Sequence, residues 1–185
     1  MADETDNRVS ASPSAEGIAA AASKAGTKGL PPVHLWNPHF CGDLDMRIKA
    51  DGTWFYQGTP IGRPAMVRLF STVLKREGDK YFLVTPVEKV GIVVEDAPFI
   101  AVDAEIQPDR ITFTTNVGDE VVADVENPII LRGDAHEPRP YVHVRRGLEA
   151  LIDRKTFYRL AAAADEGPEG KVGVRSSGQF FPLEF

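Results

Sequence analysis

The sequence predicts an α+β fold: two small halves, each an antiparallel β-sheet with one main helical element, preceded by a disordered N-terminal tail. Three observations lead there. The sixteen aromatic residues (ten Phe, four Tyr, two Trp) all lie at or beyond Trp36, so residues 1–32 bring little to a core. From residue 43 onward, short apolar–polar alternations punctuated by Gly and Pro recur along the chain. Helical periodicity interrupts them once in each half. The boundary is placed at Pro98, after the acidic pair Glu95-Asp96, giving segments 1–32, 33–97 and 98–185.

The tail is rich in Ala, Ser and Gly and ends in Gly29-Leu30-Pro31-Pro32. Residues 15–25 have helical propensity, but a stretch that short is marginal without a partner. Residues 43–49 then alternate strictly, with Leu44, Met46 and Ile48 on one face and Asp43, Asp45, Arg47 and Lys49 on the other. Asp51-Gly52 supplies a tight hairpin turn, and the aromatic run 53–57 is the return strand. Pro64 suits the first position of a helix, whose stripe is Met66, Leu69, Phe70, Val73 and Leu74. Arg68, Ser71, Thr72 and Lys75 face away from that stripe, and Gly78 is placed to end the helix. Strands follow at 81–85, 90–95, 99–107, 111–115 and 121–125, parted by Pro86, Pro98, Pro108-Asp109 and Gly118-Asp119. A short strand at 141–144 leads to Gly147. The stretch from 148 to about 165 reads as helical, with two apolar stripes out of phase. That mismatch predicts a kink near Asp153, or a second helix capped by it. A hairpin closes the chain, turning at Ser177-Gly178. Its segment GVRSSGQFF is like RIKADGTWF of the first half, although their order relative to the helix is reversed.

The net charge of −6 argues against a general nucleic-acid binder, which needs a basic face. The single Cys41 excludes an intramolecular disulfide and suits a reducing cytosol. No apolar run approaches the ~20 residues of a membrane span. The acidic start is unlike a secretory signal, so no membrane association and a cytoplasmic location are expected. His34, His39, Cys41, Asp43 and Asp45 are metal-type side chains close in sequence, but their spacing matches no standard site. No nucleophile elbow, phosphate loop or H-E-x-x-H motif is present, so no catalytic residue, metal or cofactor is assigned.

What remains is binding. Trp54 and Tyr56 lie on the aromatic strand, which also offers a surface for a homodimer. Glu88-Lys89 is a charged pair near the boundary. Arg139, Arg145 and Arg146, with Tyr141, form the main basic concentration and are the best candidate for an edge that meets an anion. The leading expectation is a sensor or adaptor that takes a small molecule or a protein partner at the junction of the halves. The competing one is a small-molecule enzyme using Glu88 or Glu95 as a cleft carboxylate.

Five segments, CGDLDMRIKADGTWFYQGTPIGR, LVTPVEKVGIVVEDAPF, TNVGDEV, PYVHVRRGLEAL and SGQFFPLEF, occur in this order between Cys41 and Phe185. Together they resemble a bacterial family known as domain of unknown function 1285. The resemblance implies a two-domain α+β protein without established activity, for which a role in signal transduction has been suggested. It implies no catalytic residues.

Overall fold

In the computed structural model, which describes residues 12–25 and 29–185, the Ala-rich stretch is a helix, α1 (Ala15–Ala25). It is not isolated. Ala15, Ile18, Ala19 and Ala22 fall at i, i+3, i+4 and i+7 and are buried against the helix α2 (Pro64–Thr72). The Tyr56 hydroxyl accepts the Ala15 N–H at 3.4 Å. A partner therefore stabilises a helix too short to persist alone, which corrects the expectation that this part of the tail stays unstructured. The rest of the predicted tail up to residue 28, namely 1–11 and 26–28, lies outside the described residues. Pro31 and Val33 are already buried.

The first half is one six-stranded sheet. Its strands are β1 (Phe40–Ile48), β2 (Trp54–Tyr56), β3 (Thr59–Pro60), β4 (Leu74–Glu77), β5 (Lys80–Val84) and β6 (Lys89–Val94). Their order is β3-β2-β1-β6-β5-β4, antiparallel except for the central β1–β6 pair, which is parallel. Leu44, Met46 and Ile48 point inward and their charged neighbours outward, as the alternation requires. Phe70 is fully buried and stacks on Trp54, ring centroids 6.3 Å apart. Helix α2 ends earlier than its stripe predicts. The Ser71 and Thr72 hydroxyls donate to the carbonyls of Arg68 and Leu69, both at 2.6 Å, and consume the acceptors of the last turn. Ser71 is buried rather than outward, Leu74 opens β4, and Gly78 (φ 60°) turns the β4–β5 hairpin instead of capping a helix.

The second half holds β7 (Phe99–Gln107), β8 (Arg110–Thr115), β9 (Glu120–Val122), β10 (Ile129–Gly133), β11 (Pro138–Arg145) and β12 (Leu148–Ile152). After them come α3 (Arg154–Ala162) and a small sheet of β13 (Asp165–Glu166), β14 (Val172–Ser176) and β15 (Gln179–Pro182). The large sheet runs β10-β11-β12-β7-β8-β9, again antiparallel except for a parallel β7–β12 seam. Both halves therefore join two three-stranded meanders through their first and last strands. The likeness between RIKADGTWF and GVRSSGQFF is a different matter, since those segments are β1–β2 and β14–β15 and do not occupy corresponding places. The long helical stretch predicted from residue 148 is only half helix. Leu148, Ala150 and Ile152 are buried at period two and form β12, while Asp153 caps α3, its Oδ1 accepting the Thr156 N–H at 2.8 Å. Ser176 joins the small sheet to the large one, accepting the Ile111 N–H and donating to the Ala123 carbonyl.

Candidate functional site

The two halves meet at the β1–β2 turn. Gly52 there has φ 87° and is buried, and a Cβ on it would lie 2.6 Å from Cγ1 of Ile100. Asn116 fixes the same point, accepting the Ile100 N–H at 3.0 Å and donating to the Gly52 carbonyl at 3.5 Å. Glu95 accepts the Ala50 N–H at 2.9 Å and faces Arg47 at 3.4 Å, so its carboxylate is spent on holding the turn. Beside this contact opens a cleft of about 590 Å³. Ala50 and Asp51 form one wall. The others come from the second half: Ile100 on β7, the start of β11, the end of β12 and the first turns of α3.

Arg139 lies on the rim. Its Nη2 donates to Asp96 Oδ2 at 2.8 Å and its Nε to the Tyr141 hydroxyl at 3.1 Å; that hydroxyl donates in turn to Asp96 at 2.8 Å. Tyr141 and Asp96 push the Arg139 guanidinium well above its usual range. Burial raises the Tyr141 phenol, outweighing the hydrogen bond from Arg139, which lowers it. Asp96 belongs to the segment between the two sheets, so this triad ties the connection to the mouth of the cleft.

The predicted site residues do not converge on one place. Arg139 reaches the cleft, and Tyr141, itself buried, orients it. Arg145 is taken by Asp119 at 2.5 Å and by the Ser71 carbonyl at 3.0 Å, with its guanidinium over Phe99. Arg146 stands exposed in the β11–β12 turn at φ 47°, not at a helix start. Trp54 is buried in the core and cannot stack on a ligand, and Tyr56 is engaged by α1. Glu88 forms the β5–β6 turn, its N–H donating to Thr85 Oγ1 at 3.2 Å. Lys89 pairs with Glu77 at 2.6 Å and covers Phe82, beside a smaller cleft of about 480 Å³ on the first sheet. Neither Glu88 nor Glu95 lines these clefts. Among the described residues no three His, Cys, Asp or Glu side chains gather as a metal site, and no helix is long and apolar enough to cross a membrane.

Sequence reasoning missed Asp51, Arg154, Phe157 and Tyr158 as cleft residues. One signal was available for Tyr158. It falls outside the stripe of Phe157, Leu160 and Ala161, so an aromatic had to emerge on the open side of α3.

Residues 31–97 match the family described as Domain of unknown function (DUF1285), N-terminal domain. Residues 98–183 match Protein of unknown function (DUF1285), C-terminal domain. A crystal structure of a DUF1285 family protein from Silicibacter pomeroyi DSS-3 is 61% identical, covering 91% of this chain and 94% of that one, with a TM-score of 0.84. Another from Shewanella baltica OS155 is 34% identical over 63% of this chain and 89% of that one, with a TM-score of 0.54. No curated protein matches. With both of its halves matched in order and a solved relative alike over nearly its whole length, the chain belongs to the DUF1285 family.

Proposed function

We propose that this protein binds a small molecule in the cleft between its halves and serves as a sensor, occupancy being read out through the arrangement of those halves. One observation carries the reading: the cleft has a wall from each half, Ala50 and Asp51 on one side and the β12–α3 corner on the other. A ligand seated there touches both and biases their arrangement. The Asp96–Arg139–Tyr141 triad supports it, because a side chain of the rim is bonded to the connecting segment. The volume is in the range of small-molecule sites, and apolar walls carry a few charged groups.

A thermal-shift screen against amino acids, nucleotides and organic acids tests this, followed by amide NMR on the hits. At a hundred times its dissociation constant a ligand adds about 2.7 kcal/mol of stability. The expected hit also moves the resonances of Asp51, Ile100 and Phe157. A screen in which no compound shifts either the melting temperature or those resonances removes the reading.

A further inference from the structure

We infer that the ligand of this cleft is a zwitterion with an apolar body, of the α-amino acid class, its ammonium on the first half and its carboxylate on the second; this rests on the binding reading above. Asp51 is the one charged lining residue from the first half, and the second half contributes Arg139 and Arg154 together with Glu137 and Asp153. Asp51 stands on the β1–β2 turn, where its Oδ1 accepts the Thr53 N–H at 2.9 Å. Hydrogen bonds from Thr53 hold its carboxyl below the ordinary range, so it is an anion at neutral pH.

Arg139 and Arg154 of the second half line the same cleft. Tyr141 and Asp96 occupy Nε and Nη2 of Arg139 and fix the plane of the guanidinium, while Nη1 has no hydrogen-bond partner among the described residues. Arg154 has neither an ion pair nor a side-chain hydrogen bond among the described residues. It is the first residue of α3, directly after the N-cap carboxylate of Asp153. The same cleft is lined by Ile100, Leu151, Phe157 and Tyr158, the last an aromatic side chain 63% exposed.

The lining carries charges of both signs. A plain anion would meet Asp51, Glu137 and Asp153, and a plain cation would meet Arg139 and Arg154. A zwitterion answers both sets with its two ends, and an aromatic side chain covers the apolar wall.

The test uses the full chain and three probes: L-phenylalanine, 3-phenylpropanoate, which lacks the ammonium, and phenethylamine, which lacks the carboxylate. Phenylalanine is expected to shift the amides of Asp51, Arg154 and Tyr158 saturably. Each analogue should bind about tenfold or more weakly, because one desolvated charge is left unpaired. Asp51→Asn retains an Asn-Gly turn and should reduce phenylalanine to the affinity of the acid analogue. Arg139→Gln should reduce it to that of the amine. Analogues that match phenylalanine on the parent protein overturn the inference without any variant. If phenylalanine leaves the cleft amides unmoved while another screened compound moves them, the ligand class is wrong and the cleft reading stands. If no compound moves them, both fall.

Discussion

Arg132 clasps Glu149 through both terminal nitrogens, at 2.6 and 2.8 Å, with its guanidinium over the Tyr141 ring. That pairing holds the Glu149 carboxyl below its ordinary value of 4.5. The folded protein therefore binds this proton more weakly than the unfolded chain does. The contribution is fully present above the unfolded value and is lost as pH falls through the lower, folded one. Arg132→Met is expected to flatten the acid limb of stability against pH, followed by urea unfolding from about pH 7 to pH 3. An unchanged limb would mean that Glu149 is not the group being titrated. Gly52 makes a second case. Its positive φ was legible, since Asp-Gly demanded a hairpin turn, but its contact with Ile100 was not. Gly52→Ala must carry both the backbone strain and the clash, a loss of about 1–3 kcal/mol in thermal unfolding.

Among the elements, α1 was misjudged most. Its propensity was visible, yet whether it docks depends on a groove beside α2 that no local pattern reveals. Ile18 is completely buried there, so Ile18→Ala should cost about 2–5 kcal/mol and deletion of residues 1–30 should lower the melting temperature. A truncated protein that melts like the parent would show that the helix contributes nothing. The strand β12 failed for another reason. Leu148, Leu151 and Ile152 fit a helical stripe, while Leu148, Ala150 and Ile152 fit a strand, and five residues are too few for periodicity to decide. The hairpins at Asp51-Gly52 and Ser177-Gly178 were read correctly because their turn chemistry admits little else. Arg146-Gly147 has the same positive φ pair as Ser177-Gly178, without Asn or Asp to announce it.

At the scale of the molecule, the two sheets were legible and their junction was not. Asp96 of the first half meets Arg139 of the second, an arginine the sequence marked as part of an anion-meeting edge. The other bridges end on backbone carbonyls: Arg145 on Ser71, and Arg76 on Gly147 at 2.9 Å. A carbonyl exists at every position, so sequence cannot say which one an arginine will find. Arg145→Ala should cost about 1–3 kcal/mol in urea unfolding, because it strands both Asp119 and the Ser71 carbonyl. The adjacent Arg146→Ala should stay within about 0.5 kcal/mol. Equal effects at the two positions would mean that Arg145 does not tie the halves together.

The parallel seams have a mechanical consequence. In each six-stranded sheet the first and last strands are neighbours running the same way, β1 with β6 and β7 with β12. Tension applied before Phe40 and after Val94 pulls one strand of the seam backward and the other forward. Their hydrogen bonds are then loaded together in shear, whereas an antiparallel hairpin pulled at its open end would unzip one bond at a time. Two such clamps stand in series along the chain. Stretched between its ends in an optical trap, the protein is expected to yield in two separate, abrupt ruptures, each releasing one half, rather than in a gradual lengthening. Forces that fall smoothly from the start would mean that the seams do not bear the load.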